Sequence, residues 1–106
     1  MAGFVKIATI HDIPDNEVCA FEHDGRNIAI YNVNGQLYAT DDICSHAFAE
    51  LHEGYFDADD CTIECPLHGS RFDIRSGAVL SLPAYEPIAI YQVRVEGEDV
   101  LVEIGD

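Results

Sequence analysis

Ile28-Ala29-Ile30-Tyr31-Asn32-Val33-Asn34-Gly35-Gln36-Leu37-Tyr38-Ala39-Thr40 reads as two strands joined by a two-residue hairpin. Asn34-Gly35 is the dipeptide that best tolerates the positive φ such a turn demands. Its flanks carry β-branched and aromatic residues that suit a pleated, half-buried backbone. Working outward, residues 17–22 alternate loosely and meet residues 27–33 across a turn at His23-Asp24-Gly25. Residues 5–10 suit a first strand, and Asp12-Ile13-Pro14-Asp15-Asn16 a loop. At the other end, residues 88–95 and 100–104 flank Glu96-Gly97-Glu98-Asp99, a further hairpin. Val93, Val95, Leu101 and Ile104 are its expected core residues. No segment sustains helical periodicity, and there is no internal repeat, low-complexity stretch or linker. The fold class is all-β.

Strands therefore occupy the two ends, and residues 41–87 read as irregular. That middle holds Gly54, Gly69 and Gly77, prolines 66, 83 and 87, and most of the chemically capable side chains. A long irregular stretch in a compact domain is usually functional. Something must hold it, and a metal centre would. At 106 residues the chain is expected to be one domain, residues 1–106, with a thin core that such a centre would help.

No stretch approaches the roughly 20 apolar residues of a membrane span. Met1-Ala2-Gly3-Phe4-Val5-Lys6 lacks the basic-then-apolar pattern of a signal peptide, so a cytoplasmic location is expected. The formal net charge is −15. It argues against nucleic acid or an anionic membrane as partner and favours a partner with a basic docking face. No Lys or Arg stands between Arg26 and Arg71, while Asp41, Asp42, Glu50, Glu53, Asp57, Asp59, Asp60 and Glu64 crowd that interval. These acids read equally as a solubilising surface and as a docking surface. The four cysteines, Cys19, Cys44, Cys61 and Cys65, point to metal or catalytic use in a cytoplasmic chain, not to disulfides.

Two short groups stand out, Cys44-Ser45-His46 and Cys65-Pro66-Leu67-His68. Two thiolates and two imidazoles make a four-ligand set, which zinc accepts. So does a [2Fe–2S] cluster in which two histidines replace two cysteines on one iron. In C-x-H the ligands are two residues apart, and side chains at i and i+2 tend to diverge from a single zinc ion. Two irons remove that difficulty, because one loop can send its Cys to one metal and its His to the other. The spacing of Cys44, Cys61 and Cys65 does not match an all-cysteine plant-type cluster.

Cys44-Ser45-His46-Ala47 and Cys65-Pro66-Leu67-His68-Gly69-Ser70-Arg71-Phe72-Asp73-Ile74-Arg75-Ser76-Gly77 resemble the two cluster-binding boxes of Rieske proteins. Leu82-Pro83-Ala84 resembles the proline loop of that family. The chain's size resembles the stand-alone Rieske ferredoxins of bacterial ring-hydroxylating dioxygenase systems. The resemblance implies an antiparallel β-sandwich with a small cluster-binding subdomain at about 41–87. It implies one Rieske-type [2Fe–2S] cluster, with Cys44 and Cys65 on the inner iron and His46 and His68 on the outer. It further implies a one-electron carrier, not an enzyme by itself. Its partners would be a flavin-dependent ferredoxin reductase and a terminal aromatic-ring oxygenase, with His46 or His68 as the electron exit. A monomer is the expected state.

Departures from the wider superfamily bear on redox potential. High-potential relatives carry two further cysteines that form a disulfide between the loops, and here Ala49 and Leu67 occupy those positions. The tyrosine that donates to a cysteine sulfur is Phe72, although Ser70 keeps its hydroxyl. Reduction takes the centre from neutral to −1, so a lost donor and nearby carboxylates lower the potential. A midpoint toward the bottom of the Rieske range, about −150 mV, is expected.

The remaining candidates have plainer readings. Cys19 and Cys61 read as small buried hydrophobes, Cys61 in the strand leading to Cys65. His11, His23 and His52 read as surface histidines, and Asp57-Ala58-Asp59-Asp60 as an exposed turn. Tyr31, Tyr38 and Tyr91 read as sheet packing. Arg71 and Arg75 fit either local acids or a partner. Three other functions stay open: a small Rieske subunit of another oxidoreductase such as nitrite reductase, a zinc-stabilised interaction module, and a Rieske fold that has lost its cluster.

Overall fold

The computed structural model describes residues 3–44, 49–67, 69–82 and 86–104. Among these residues ten strands occur: β1 (Gly3–Thr9), β2 (Val18–His23), β3 (Arg26–Val33), β4 (Gln36–Asp41), β5 (Tyr55–Asp57), β6 (Thr62–Glu64), β7 (Arg71–Asp73), β8 (Ile90–Tyr91), β9 (Val93–Glu96) and β10 (Asp99–Ile104). Single 3₁₀ turns lie at Ile10–Asp12 and Leu51–Glu53. All pairings between strands are antiparallel, in three sheets ordered β1-β10-β9, β2-β3-β4-β8 and β5-β6-β7. Among the described residues no helix is long and apolar enough to cross a membrane.

The hairpin at Asn34-Gly35 forms as its residues require, with φ of 52° and 94° and Val33 paired to Gln36. Asn32 braces it by accepting the Gly35 N–H on Oδ1 at 2.7 Å. Asp24 and Gly25, at φ 52° and 77°, make the equivalent turn between β2 and β3.

β3 organises the molecule because both its faces are buried. Ile28 and Ile30 join Ala8, Ile13, Ala39, Val100 and Val102 in one core, between the central sheet and the terminal one. Ala29 and Tyr31, pointing the other way, join Cys44, Leu51, Ile63, Cys65, Phe72 and Ile74 in a second core under the small sheet. A strand buried on both faces needs a near-continuous apolar run, and Ile28-Ala29-Ile30-Tyr31 supplies one. Each fully buried Ile or Val contributes about 1.5–3 kcal/mol. The Tyr31 ring meets Phe56 of β5 at 5.3 Å and 59°. Its hydroxyl lies 2.8 Å from Thr40 Oγ1, so the deepest phenol is not left unsatisfied. Burial pushes that phenol's pKa well above its ordinary value.

Three expectations need correction. Residues 88–95 are not one strand: Ile90–Tyr91 pairs with β4, while Val93–Glu96 pairs with β10 in another sheet. The phase of the last hairpin is also different. Val100 and Val102 are its fully buried residues, Val93 and Ile104 pack partly against them, and Val95 is 47% exposed on the edge strand. Residues 41–87 are not wholly irregular, since β5, β6 and β7 form a sheet there.

Candidate metal centre

Cys44 leaves the central sheet just after β4. Its N–H donates to the Ala49 carbonyl at 2.9 Å, Ile43 bridges Glu50, and the Leu51 N–H donates to the Asp42 carbonyl at 2.6 Å. The chain therefore goes out and returns as a closed loop. Cys65 follows β6 in the same manner. Its N–H donates to the Ser70 carbonyl at 2.7 Å, and the Gly69 N–H returns to the Cys65 carbonyl at 3.0 Å. Gly69 sits at φ +74°, a conformation that side-chain-bearing residues resist.

The two loops lie side by side, since a groove of about 210 Å³ is lined by Ala49 and Glu50 from one and Pro66 and Leu67 from the other. Larger hollows of about 580 and 550 Å³ lie beside Arg26 and Tyr91, and beside Ile13 and Leu37, so size alone does not mark the site. Cys44 and Cys65 are 5% and 1% exposed, belong to one core, and form no disulfide. Two unoxidised thiols, each at the root of a closed loop, suit a metal centre held from the protein side. His46 and His68 lie outside the described residues, as do Pro83 and Ala84 of the proline segment. That segment's described end is tied down: Ser81 Oγ accepts the Arg71 N–H at 3.0 Å. Leu67 and Leu82 stand 63% and 71% exposed.

The surroundings revise several readings. Asp42 is not on the exposed acidic face but fully buried. Its Oδ1 accepts the His52 backbone N–H at 2.8 Å, and its Oδ2 faces His52 Nδ1 at 2.7 Å. His52 is thus no plain surface histidine, its side chain being only 28% exposed. Asp42, Glu50 and His52 bring one ligand-capable atom each within 4.8 Å of one another, but both Asp42 oxygens already have hydrogen-bond partners. Ten residues separate Asp42 from His52, and no local motif joins them; only the closure of the loop does. His11 and His23 do lie at the surface, beside Glu98 at 3.0 Å and Asp24 at 3.6 Å.

Cys61 stands in the turn before β6 at φ +56°, with Sγ toward the Ala58 carbonyl at 3.7 Å. Cys19 is half-buried and donates to the Asp12 carbonyl at 3.4 Å; burial first, then Glu17 and Asp12, raises its thiol pKa. Arg75 grips Asp73 at 2.9 Å, and its hydrogen bonds hold that carboxyl below its ordinary pKa. Arg71 donates instead to Thr62 Oγ1 at 3.2 Å. Phe72, on β7 of the small sheet, is fully buried in the core that holds Cys44 and Cys65, with no hydroxyl to offer a sulfur.

The sequence pattern of the Rieske [2Fe-2S] domain matches residues 3–92. The chain belongs to the Rieske [2Fe–2S] family. Its cofactor is accordingly a Rieske-type [2Fe–2S] cluster. The chain is 42% identical over 103 residues to the biphenyl dioxygenase ferredoxin subunit of Pseudomonas sp. strain KKS102, covering 96% of this chain and 93% of that one. The ferredoxin of carbazole 1,9a-dioxygenase from Nocardioides aromaticivorans IC177 superposes with a TM-score of 0.88 at 39% identity, over 93% and 95% of the two chains. A ferredoxin solved in complex with the oxygenase of carbazole 1,9a-dioxygenase gives 0.86 at 34% identity, over 94% and 92%. The antiparallel sheets expected from the sequence are those of this Rieske ferredoxin group.

Proposed function

We propose that this chain is a one-electron carrier that takes electrons from a flavin-dependent ferredoxin reductase and delivers them to a terminal aromatic-ring dioxygenase. Cys44, His46, Cys65 and His68 are the ligands in this reading. The supporting observation is the pair of buried, unoxidised thiols at the roots of two adjacent closed loops, in a chain so similar to dioxygenase ferredoxins. When bound, the cluster supplies one-electron oxidation and reduction at a potential tuned by its surroundings.

The protein's own residues do the rest. Phe72, Ile63 and Leu51 shield the two thiols from water, and the backbone bonds from Cys44 and Cys65 fix where their side chains emerge. Exposed Leu67, within the second loop, and Leu82 offer a partner an apolar contact, and His46 and His68 are the proposed exit. The chain works as an electron-transfer component and leaves oxygen chemistry to its partner. It acts as a monomeric single domain in the cytoplasm, with residues of about 41–87 as its cluster-binding part.

Electron paramagnetic resonance of the purified protein, before and after dithionite, tests the centre. A signal of low average g appearing only on reduction is expected, with a midpoint near the bottom of the Rieske range, about −150 mV. A silent protein containing zinc would refute the reading. Reconstitution with a purified reductase and a ring-hydroxylating oxygenase then tests the route, with coupled product formation as the expected result.

A further inference from the structure

We propose that His52 is a positioning residue for the first cluster loop and acts through Asp42, an inference that rests on Cys44 and His46 being ligands. Among the described residues Asp42 is the only fully buried carboxylate. Burying a carboxylate is costly unless its oxygens are satisfied. Here residue 52 satisfies both, one through its backbone N–H at 2.8 Å and the other through its ring at 2.7 Å. The ring nitrogen Nδ1 faces Oδ2, so a proton carried there donates to the carboxylate.

The placement gives the pair its role. Asp42 lies two residues before Cys44, so their Cα atoms are at most about 7 Å apart. Its own N–H donates to the Asn27 carbonyl at 3.0 Å, which ties it to β3. Its carbonyl and carboxylate receive Leu51 and His52. The loop from 44 to 49 is thus closed by three successive rungs: Cys44 with Ala49, Ile43 with Glu50, and Asp42 with residues 51 and 52. The first two rungs are backbone only. The third carries the side-chain bond, and it joins both strands of the loop to the rigid central sheet. His52 therefore braces the base from which Cys44 leaves the sheet. It also holds the Asp42 carboxyl in one place two residues from Cys44, where a fixed negative charge would oppose reduction of a bound cluster.

The test compares His52→Leu, His52→Asn and Asp42→Asn in the cluster-loaded protein. Leu keeps the backbone donor and removes the ring donor, whereas Asn can donate from Nδ2 near the position of imidazole Nδ1. His52→Leu is expected to shift the g-values of the reduced signal and to shorten the half-life of the cluster against chelator about tenfold, as fits losing a hydrogen bond to a charged group. His52→Asn is expected to restore both, and Asp42→Asn to move the midpoint upward. If His52→Leu does not assemble, a loaded His52→Asn with wild-type spectrum still supports the role. Spectra, half-life and midpoint unchanged in His52→Leu would overturn it, as would equal damage from Leu and Asn. An unmutated protein with no reduction-dependent signal would overturn both this inference and the ligand assignment; a normal signal there, with unaffected variants, overturns this inference alone.

Discussion

Tyr91 illustrates how one side chain near the loops couples to pH. Its hydroxyl donates to Asp41, the last residue of β4, and the Arg26 guanidinium lies 5.8 Å from its ring centre. Burial first, then Asp41, pushes the phenol up to about 12 from 10.0. The folded form therefore holds a proton that the unfolded chain releases sooner. That contribution to stability is fully present below pH 10 and is lost as pH rises toward about 12. Tyr91→Phe should flatten the alkaline fall in urea midpoint across that window, leaving a residual slope from Tyr31, whose phenol is also raised. An unchanged slope would show that neither burial nor the bond to Asp41 raises this phenol in solution. Among the cysteines, Cys44→Ser and Cys65→Ser should each give a colourless protein, and Cys19→Ala a coloured one, by visible absorption. Cys19 should also alkylate slowly at neutral pH, because its thiol is shielded and its pKa is raised.

At the scale of elements, the loop around Gly77 depends on a contact that few residues could permit. Gly77 has φ +80°, and a Cβ there would lie 2.2 Å from the Ile88 carbonyl oxygen. The Ile88 N–H also donates to the Gly77 carbonyl at 3.0 Å, so the two segments cannot part cheaply. Gly25 has nearly the same φ, +77°, with nothing within 4 Å of the added atom. Gly25→Ala should cost about 1–2 kcal/mol from backbone strain alone. Gly77→Ala should cost more, about 3 kcal/mol or above, by urea denaturation; equal costs would mean that the Ile88 contact yields freely. The contrast between these glycines is invisible in sequence, where both are simply turn signals. The hairpins were legible because each is specified by adjacent residues such as Asn34-Gly35. The break between β8 and β9 was not, because Ile88-Ala89-Ile90-Tyr91-Gln92-Val93 holds no Gly, Pro or turn dipeptide, and only pairing with two different sheets divides it. The three-residue strands of the small sheet are too short for an alternation to show. Cys44 and Cys65 stand out as candidate ligands from their spacing to histidine, whereas the Asp42–His52 pair comes together only through the fold.

Across the whole molecule, charge and shape divide the surface unevenly. Lys6, Arg75 and Arg94 spend their charge on Asp99, Asp73 and Glu96, at 3.2, 2.9 and 3.4 Å. Glu50 and Glu53 line the groove between the two loops, and Asp59 and Asp60 are exposed beyond β5. With Asp42 buried, exposed Glu50 and Glu53 and half-buried Glu64 are acids beside the two loops, near the apolar tip of Leu67. Such a surface, on a chain of net charge −15, attracts a basic partner face over a distance set by the Debye length, about 10 Å at 0.1 M salt. The bimolecular rate of electron delivery to a basic docking face should therefore fall about tenfold between low salt and 0.3 M, in stopped-flow measurements with oxygenase in excess. Glu50→Gln with Glu53→Gln should weaken the salt dependence and lower the low-salt rate, while leaving the high-salt rate nearly unchanged. Long-range attraction predicts that pattern, because screening removes what the two charges contribute. A rate indifferent to salt would assign these acids to solubility, and a rate that rises with salt would mean the partner presents an acidic face of its own.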